Sequence, residues 1–367
     1  MQNWLRKIAV WQAVLVIAIL AWGFTEGVRA IALPAAQQRL QPTLNGEAFL
    51  AGRTAAAVNH IMAHNLPIDP WARAAGGFFR WRFFHSGGPQ VRVGCNGWLF
   101  LNEELRPWPD ADRVMAERAE ALARIRARLA AQNVTLIVAV VPDKARVHHA
   151  ELCGAPISAQ SEARYARLLS TMRAQGLAPI SLLEPLQALA AQRPAYWRTD
   201  THWNQDGAAA AAAAIAAGAQ AATIDRPGGF TTRHDAAETA GPGDLLRLMG
   251  LDILPDGLRP PIDRQHLAHT DEPASGGGLL DDEGAPQVAL IGSSYSVNAN
   301  FHGALQQALG AKVTNLAQAG GGFAGAASAY FAGATFREAP PRLIIWEIPE
   351  RVMGQPITAE ERAFFAR

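Results

Sequence analysis

The sequence predicts an α/β protein built on a mainly parallel sheet. Two observations carry that prediction. Short, apolar, largely β-branched runs (Val134 to Val141, Val288 to Ile291, Leu343 to Trp346) stop abruptly at Pro142, Gly292 and Glu347, as strands buried on both faces do. Between such runs lie segments with helical spacing, and helix alternating with strand at this interval favours parallel pairing. With 367 residues, 49% of them apolar and 18% charged, the chain is long and apolar enough to build a sizeable core.

The first element stands apart from that pattern. Arg6 and Lys7 precede an apolar run from Ile8 to Phe24 that only Gln12 interrupts. The run reaches the lower limit for a membrane span, roughly 17–25 residues. Positive charge ahead of it keeps the N-terminus in the cytoplasm and sends the chain outward. A cleaved signal peptide would have a shorter apolar core and a small-x-small site. Val28-Arg29-Ala30 and Ala32-Leu33-Pro34-Ala35 fit that poorly, so an uncleaved inner-membrane anchor over residues 1–30 is expected. A lead-in over 31–90 and a main domain over 91–367 follow. The formal net charge of +1 offers no electrostatic reason for a nucleic-acid partner.

Within the lead-in, Trp71, Phe78, Phe79, Trp81, Phe83 and Phe84 form an aromatic patch, suited to core or membrane-proximal packing and less often to stacking on sugar rings. Asn96-Gly97 before Trp98 to Leu101 signals a hairpin. Asp110 to Gln132 carries a helical apolar face that Asp110 or Asp112 can cap. Ser161 to Gln175 is helical and Ile180 to Leu183 a strand. Ala208 to Ala222 is an alanine helix. Residues 225–286, rich in Gly, Pro and Asp and containing Gly276-Gly277-Gly278, read as a long excursion over the sheet. Then come a helix from Asn300 to Leu309, a strand from Val313 to Leu316, a turn at Gly320 to Gly322 and a helix from Ala324 to Thr335. Cys95 and Cys153 lie on the exported side, where oxidation lets them pair; spacing alone leaves the pairing open.

Two stretches carry chemistry. Tyr196 to Gly207 contains Asp200 and His202, two residues apart, so that a carboxylate can reach one ring nitrogen and leave the other facing outward. Ile291 to Ser296 ends a strand in a cluster of hydroxyls. A serine is a weak nucleophile until a base takes its proton, and the base needs an acid to fix its tautomer. A serine at the carboxyl edge of a parallel strand also lies where open α/β sheets bind ligands. Nearby turn N–H groups can then stabilise an oxyanion. Gly292 would permit the tight turn. Ser294 is the first choice of nucleophile, Ser293 the second and Ser296 the third. Ser-Ser after a strand is also a common helix cap, and Asp-x-His has many innocent explanations. His148, His149 and Glu151 could suggest a metal, and His234-Asp235 a second dyad, but their polar surroundings predict surface positions.

At Gly97-Trp-Leu-Phe100, Val141-Pro-Asp-Lys144, Asp200-Thr-His-Trp203, Gly292-Ser-Ser-Tyr-Ser296 and Trp346-Glu-Ile-Pro-Glu-Arg351 the chain resembles the AlgJ/AlgX family of exported polysaccharide O-acetyltransferases. The resemblance spans residues 94 to 351. It implies an SGNH hydrolase-like three-layer α/β/α domain, with Asp200 as acid, His202 as base and Ser294 as nucleophile. In ordinary SGNH hydrolases the nucleophile comes first in the chain; the reversed order here implies a circular permutation. Ser293 stands where relatives often carry Thr. The anchor, and the lack of residues beyond 367 for a carbohydrate-binding module, favour the AlgJ type. Also implied are an exopolysaccharide acceptor such as alginate, a companion membrane-bound O-acyltransferase that supplies acetyl groups, other acetylation and export subunits, and no metal or organic cofactor. An acetylesterase using the same triad, and a non-catalytic polymer-binding subunit, are the alternative readings.

Overall fold

A computed structural model describes residues 2–273 and 287–366, so the glycine triplet at Gly276 to Gly278 lies outside the described residues. The chain forms two compact units, one of residues 1–84 and 250–255, the other of residues 85–249 and 256–367.

The first unit is helical. Gln2–Ala32 is one continuous helix, and its stretch Val10–Ala32 is long and apolar enough to cross a bilayer. Trp11, Leu15, Ile17 and Leu20 on that stretch are exposed. A helix that is apolar all round and uncovered by protein matches lipid rather than water. Ala30, Ala36, Leu40, Ala57 and Ile61 make a small core of their own. Trp71, Phe79, Phe83 and Phe84 of the aromatic patch lie exposed on the helix Asp69–Phe84, so they form a surface rather than a core.

The second unit begins with a hairpin of β1 (Val91–Val93) and β2 (Leu99–Leu101), turned by Asn96 and Gly97 with φ of 53° and 81°. The remaining strands in chain order are β3 (Thr135–Val141), β4 (Ile180–Ser181), β5 (Thr231–Ala240), β6 (Arg264–Asp271), β7 (Val288–Ile291), β8 (Val313–Asn315) and β9 (Leu343–Pro349). Five of them make a sheet of order β4-β3-β9-β7-β8 in which every pairing is parallel. Counted from β7 through β9 and on to β3, that order reads 2-1-3-4-5, the doubly wound flavodoxin-like order. The chain therefore starts partway through a standard α/β wind, as a circular permutation requires.

Side chains alternate across each strand and divide the core in two. Ala139, Val141, Val288, Leu290, Leu343 and Ile345 pack against the helices Gln205–Gly218 and Phe301–Leu309. Val138, Val140, Ala289, Ile291, Ile344 and Trp346 pack against Ala111–Ala130, Ala159–Ala174 and Gly325–Ala332. Asp110 takes the N-cap position of Ala111–Ala130, but its side chain makes no cap bond. The helical segment expected from Ala324 to Thr335 breaks at Gly333 into Gly325–Ala332 and Ala334–Glu338.

The stretch from 225 to 286 departs from expectation. It holds β5, the helix Asp244–Met249 and β6, and the two strands pair antiparallel with a bulge between His234 and Glu238. Almost all of β5 is exposed, so its polar sequence carries no apolar alternation by which to see a strand.

Cys95 and Cys153 form a disulfide with Cα atoms 5.8 Å apart. It fastens the β1–β2 turn to the segment after β3, where the Cys95 N–H also donates to the Glu151 carbonyl at 2.9 Å. The bond closes a loop of 58 residues. Replacing both cysteines by serine should lower unfolding stability by about 2–4 kcal/mol. Urea midpoints of oxidised wild type and the double variant check this, and equal midpoints would contradict it.

Candidate active site

The acid–base segment is a small loop closed on itself. Tyr196 and Trp203 form an antiparallel bridge, and the Asn204 N–H donates to the Ala195 carbonyl at 3.0 Å. Asn204 then caps the helix Gln205–Gly218 by accepting from the Gly207 N–H at 2.9 Å. Gly207 is needed for close approach, since a Cβ there would lie 2.1 Å from the Ala195 carbonyl oxygen. Trp203 is fully buried against Phe301 and Tyr295. These contacts leave Asp200 and His202 at the tip of the loop. Asp200 Oδ1 meets His202 Nδ1 at 2.6 Å, and His202 Nε2 meets Ser294 Oγ at 2.7 Å. The three expected residues are thus one hydrogen-bonded chain, although 92 residues separate His202 from Ser294.

Ser294 follows β7, at the carboxyl edge of the sheet and beside the point where strand order reverses between β7 and β9. The neighbouring hydroxyls do something else. Ser293 caps the short 3-10 turn Ser294–Ser296 by accepting from the Tyr295 N–H. Both Ser293, through N–H and Oγ, and Ser296, through Oγ, donate to the buried carboxylate of Glu347 on β9, at 2.8–3.0 Å. The cap reading therefore applies to Ser293, and only Ser294 faces the imidazole. Gly292 serves a different end from the one expected. It is absent from the positive-φ positions, yet a Cβ there would lie 2.6 Å from Glu347 Oε2 and 2.8 Å from Ser296 Oγ. Close approach of Glu347, not turn conformation, requires glycine.

Three further residues support the constellation. The Asp244 N–H donates to Asp200 Oδ2 at 2.9 Å, and Asp244 Oδ1 accepts from the Thr201 N–H at 2.8 Å. Its only advance signal was an acid opening a helix after Gly241-Pro242-Gly243. Lys144, fully buried, donates from Nζ to the carbonyls of Leu99, Arg198 and Asp200 at 2.6–2.9 Å. Burial draws the Lys144 pKa down to about 8 against the pull of Glu104 and Asp200, which still leaves an ammonium at neutral pH. Tyr295 donates to the Thr201 carbonyl at 3.0 Å and sets its ring edge-on to His202.

His148, expected at the surface, is buried against Trp98 and accepts from the Ala195 N–H at 3.2 Å. Burial, then the Lys144 charge, pulls its pKa down to about 3, so the ring is a neutral acceptor. His149 and His234 are exposed, and Asp235 lies 3.3 Å from His269 rather than pairing with His234. Asp200, His202 and Asp244 offer three ligand-type atoms within 4.8 Å of one another. Both imidazole nitrogens and both Asp200 oxygens are already engaged in the hydrogen bonds above, an arrangement suited to proton transfer at Ser294.

With this geometry in hand, likeness to known proteins becomes specific. The family described as "SGNH hydrolase-like domain, acetyltransferase AlgX" matches residues 91–350. The chain belongs to this AlgX acetyltransferase family. Membership makes it an acyltransferase with an SGNH hydrolase-like fold. It is 32% identical to a probable alginate O-acetylase AlgJ of Azotobacter vinelandii over 85% of this chain and 82% of that protein. It is 34% identical to the AlgJ of Pseudomonas aeruginosa, over 83% of this chain and 81% of that protein. The solved O-acetyltransferase domain of Pseudomonas putida AlgJ superposes with a TM-score of 0.67 at 30% identity, covering 76% of this chain and 98% of that one.

The Asp200 site sets a pH expectation for the family member described here. Burial pushes the carboxyl up, but the His202 hydrogen bond and charge and the N–H of Asp244 outweigh it, giving about 2 against an ordinary 3.8. A depressed carboxyl contributes stability that is full above its unfolded pKa and lost as pH falls through the folded one. The stability gap between wild type and Asp200→Asn should therefore be widest above pH 4 and shrink as pH falls towards 2. Urea unfolding across that range measures it, and a gap that widens on acidification would contradict the assignment.

Proposed function

We propose that this chain is a membrane-anchored enzyme that transfers acetyl groups to hydroxyls of an exported alginate-type polysaccharide, through an acetyl-serine on Ser294. The observation that carries the reading is His202, within hydrogen-bond distance of Asp200 on one nitrogen and of Ser294 on the other. In the first half-reaction Ser294 Oγ bonds to the acyl carbon while His202 takes its proton and returns it to the departing donor group. In the second, a sugar hydroxyl loses its proton to His202 and bonds to the same carbon. The ester bond to Ser294 breaks, and Oγ recovers the proton. Asp200 holds the imidazole tautomer throughout.

The names of the AlgJ relatives support alginate as the acceptor class. The apolar N-terminal helix supports tethering to the inner membrane with the catalytic unit in the periplasm. An acetyl donor must then be delivered across that membrane, which suits a membrane-bound O-acyltransferase as companion and a wider set of acetylation and export subunits around it. The residues of the triad region suffice for both half-reactions without metal or organic cofactor.

Ser294→Ala should cut acetyl transfer to an alginate oligosaccharide by at least about 10³-fold with the fold intact. Ser293→Ala, which removes a cap and a bond to Glu347, should cost far less. Mass spectrometry of the oligosaccharide, with a small acetyl ester as donor, reads both. Full acetylation by Ser294→Ala would favour a non-catalytic role. Acetate release indifferent to the acceptor, with no acetylated sugar, would favour an esterase.

A further inference from the structure

We propose that a cavity of about 520 Å³, walled by the segments that follow His202 and Ser294, is an acceptor subsite that recognises a pyranoside ring chiefly through its hydroxyls. This deepens the acetyl-transfer reading and rests on it. The cavity draws its walls from the continuations of both catalytic segments. Gln205 and Asp206 follow His202 by three and four residues, and Asn300 follows Ser294 by six, with Thr232 of β5 and Gln307 of the helix Phe301–Leu309 opposite. The size suits a saccharide unit or two, within the range of about 300–1,000 Å³ usual for small-ligand sites.

Its polar groups are arranged before any ligand arrives. Asn300 donates to Thr270 Oγ1 at 2.9 Å, Thr270 and Thr232 share a hydrogen bond at 2.8 Å, and Thr232 donates to Gln307 Oε1. Each amide so fixed has a second group to offer, and the Gln307 amide nitrogen in particular remains a donor at the cavity. Two costs are borne to keep this network. Ala299 and Asn300 both sit in the left-handed region, with φ of 57° and 52°, and neither is glycine. Gly303 interrupts a helix because a Cβ there would lie 2.4 Å from Asn300 Oδ1 and 2.5 Å from Thr270 Oγ1.

Charge decides which part of a sugar is read. Among the described residues that line the cavity the ionisable ones are His234 and Asp206, with no lysine or arginine, and Asp206 is paired with Arg193 at 3.0 Å. Amides and hydroxyls over small alanines such as Ala304 and Ala308 suit sugar hydroxyls and ring faces. A uronate carboxylate would meet a single imidazole, His234, and no guanidinium or ammonium, so hydroxyls carry most of the recognition at this wall.

The test uses the full chain in detergent, 4-nitrophenyl acetate as donor, an alginate oligosaccharide as acceptor, and the same oligosaccharide with its carboxyls reduced to alcohols. Gln307 and Ala308 are exposed, so substitution there does not threaten the core. Gln307→Ala should raise the acceptor KM about five- to tenfold with little change in kcat. Ala308→Trp, which occupies the cavity, should raise it further. The carboxyl-reduced acceptor should match the uronate within about threefold, far from the loss of over about a hundredfold expected when a built contact is missing. Unchanged acceptor KM in both variants, or a loss confined to kcat, overturns the subsite. A reduced acceptor used more than about tenfold less well overturns recognition through hydroxyls. Wild-type enzyme that acetylates neither acceptor overturns the functional reading itself, a result distinct from failure of the variants alone.

Discussion

One buried ammonium holds the Asp200–His202 half of the site together. Lys144 has three N–H donors and delivers all of them to main-chain carbonyls, one on β2 and two within the loop that bears Asp200. A buried charge without partners would be costly, so these three carbonyls and the ammonium fix one another. Through Lys144 the end of β3, the β1–β2 hairpin and the Asp200 loop become a single piece, and the disulfide closes the same piece from the other side. Breaking it would release the carboxylate that orients His202.

The Ser294 half has its own buried ionisable group. Glu347 receives three donors from Ser293 and Ser296, and its pKa is raised because burial outweighs those bonds. It comes from the central strand β9, which pairs with β3 on one side and β7 on the other. The two halves are therefore registered by ordinary parallel ladders, and the distances among Asp200, His202 and Ser294 follow from strand pairing plus two buried anchors. This explains how residues 92 positions apart in the chain meet within a hydrogen bond. Strand order, not chain order, decides proximity, and the permutation changes only the second.

The same physics sorts what could be read in advance from what could not. The β-branched runs announced β3, β7 and β9 because strands buried on both faces need no polar alternation. Asp200 and His202 were legible since two residues of turning backbone are enough to join them. Asp244 was not, because its role comes from a helix start arriving from 44 residues away. β5 lacked any periodic signal, being solvated on most of its length, and β6 alternates only between exposed and half-buried positions. His148 sits in a polar-looking stretch and is nonetheless buried, since the main chain supplies its partner. Gly292 was rightly marked as special, for a reason that only the position of Glu347 reveals.

The four residues from Ser293 to Ser296 show how one short turn joins the two halves. Ser293 is the extended N-cap of the 3-10 turn and Ser296 its last residue, and Glu347 lies within reach of both. The two residues between them face other directions. Tyr295 enters the core, where its hydroxyl reaches the Thr201 carbonyl and its ring meets Trp203 and His202. Ser294 takes the remaining direction, towards His202 Nε2. Among the three serines, the buried acid that the cap and the last residue of the turn share thus leaves Ser294 alone to meet the imidazole.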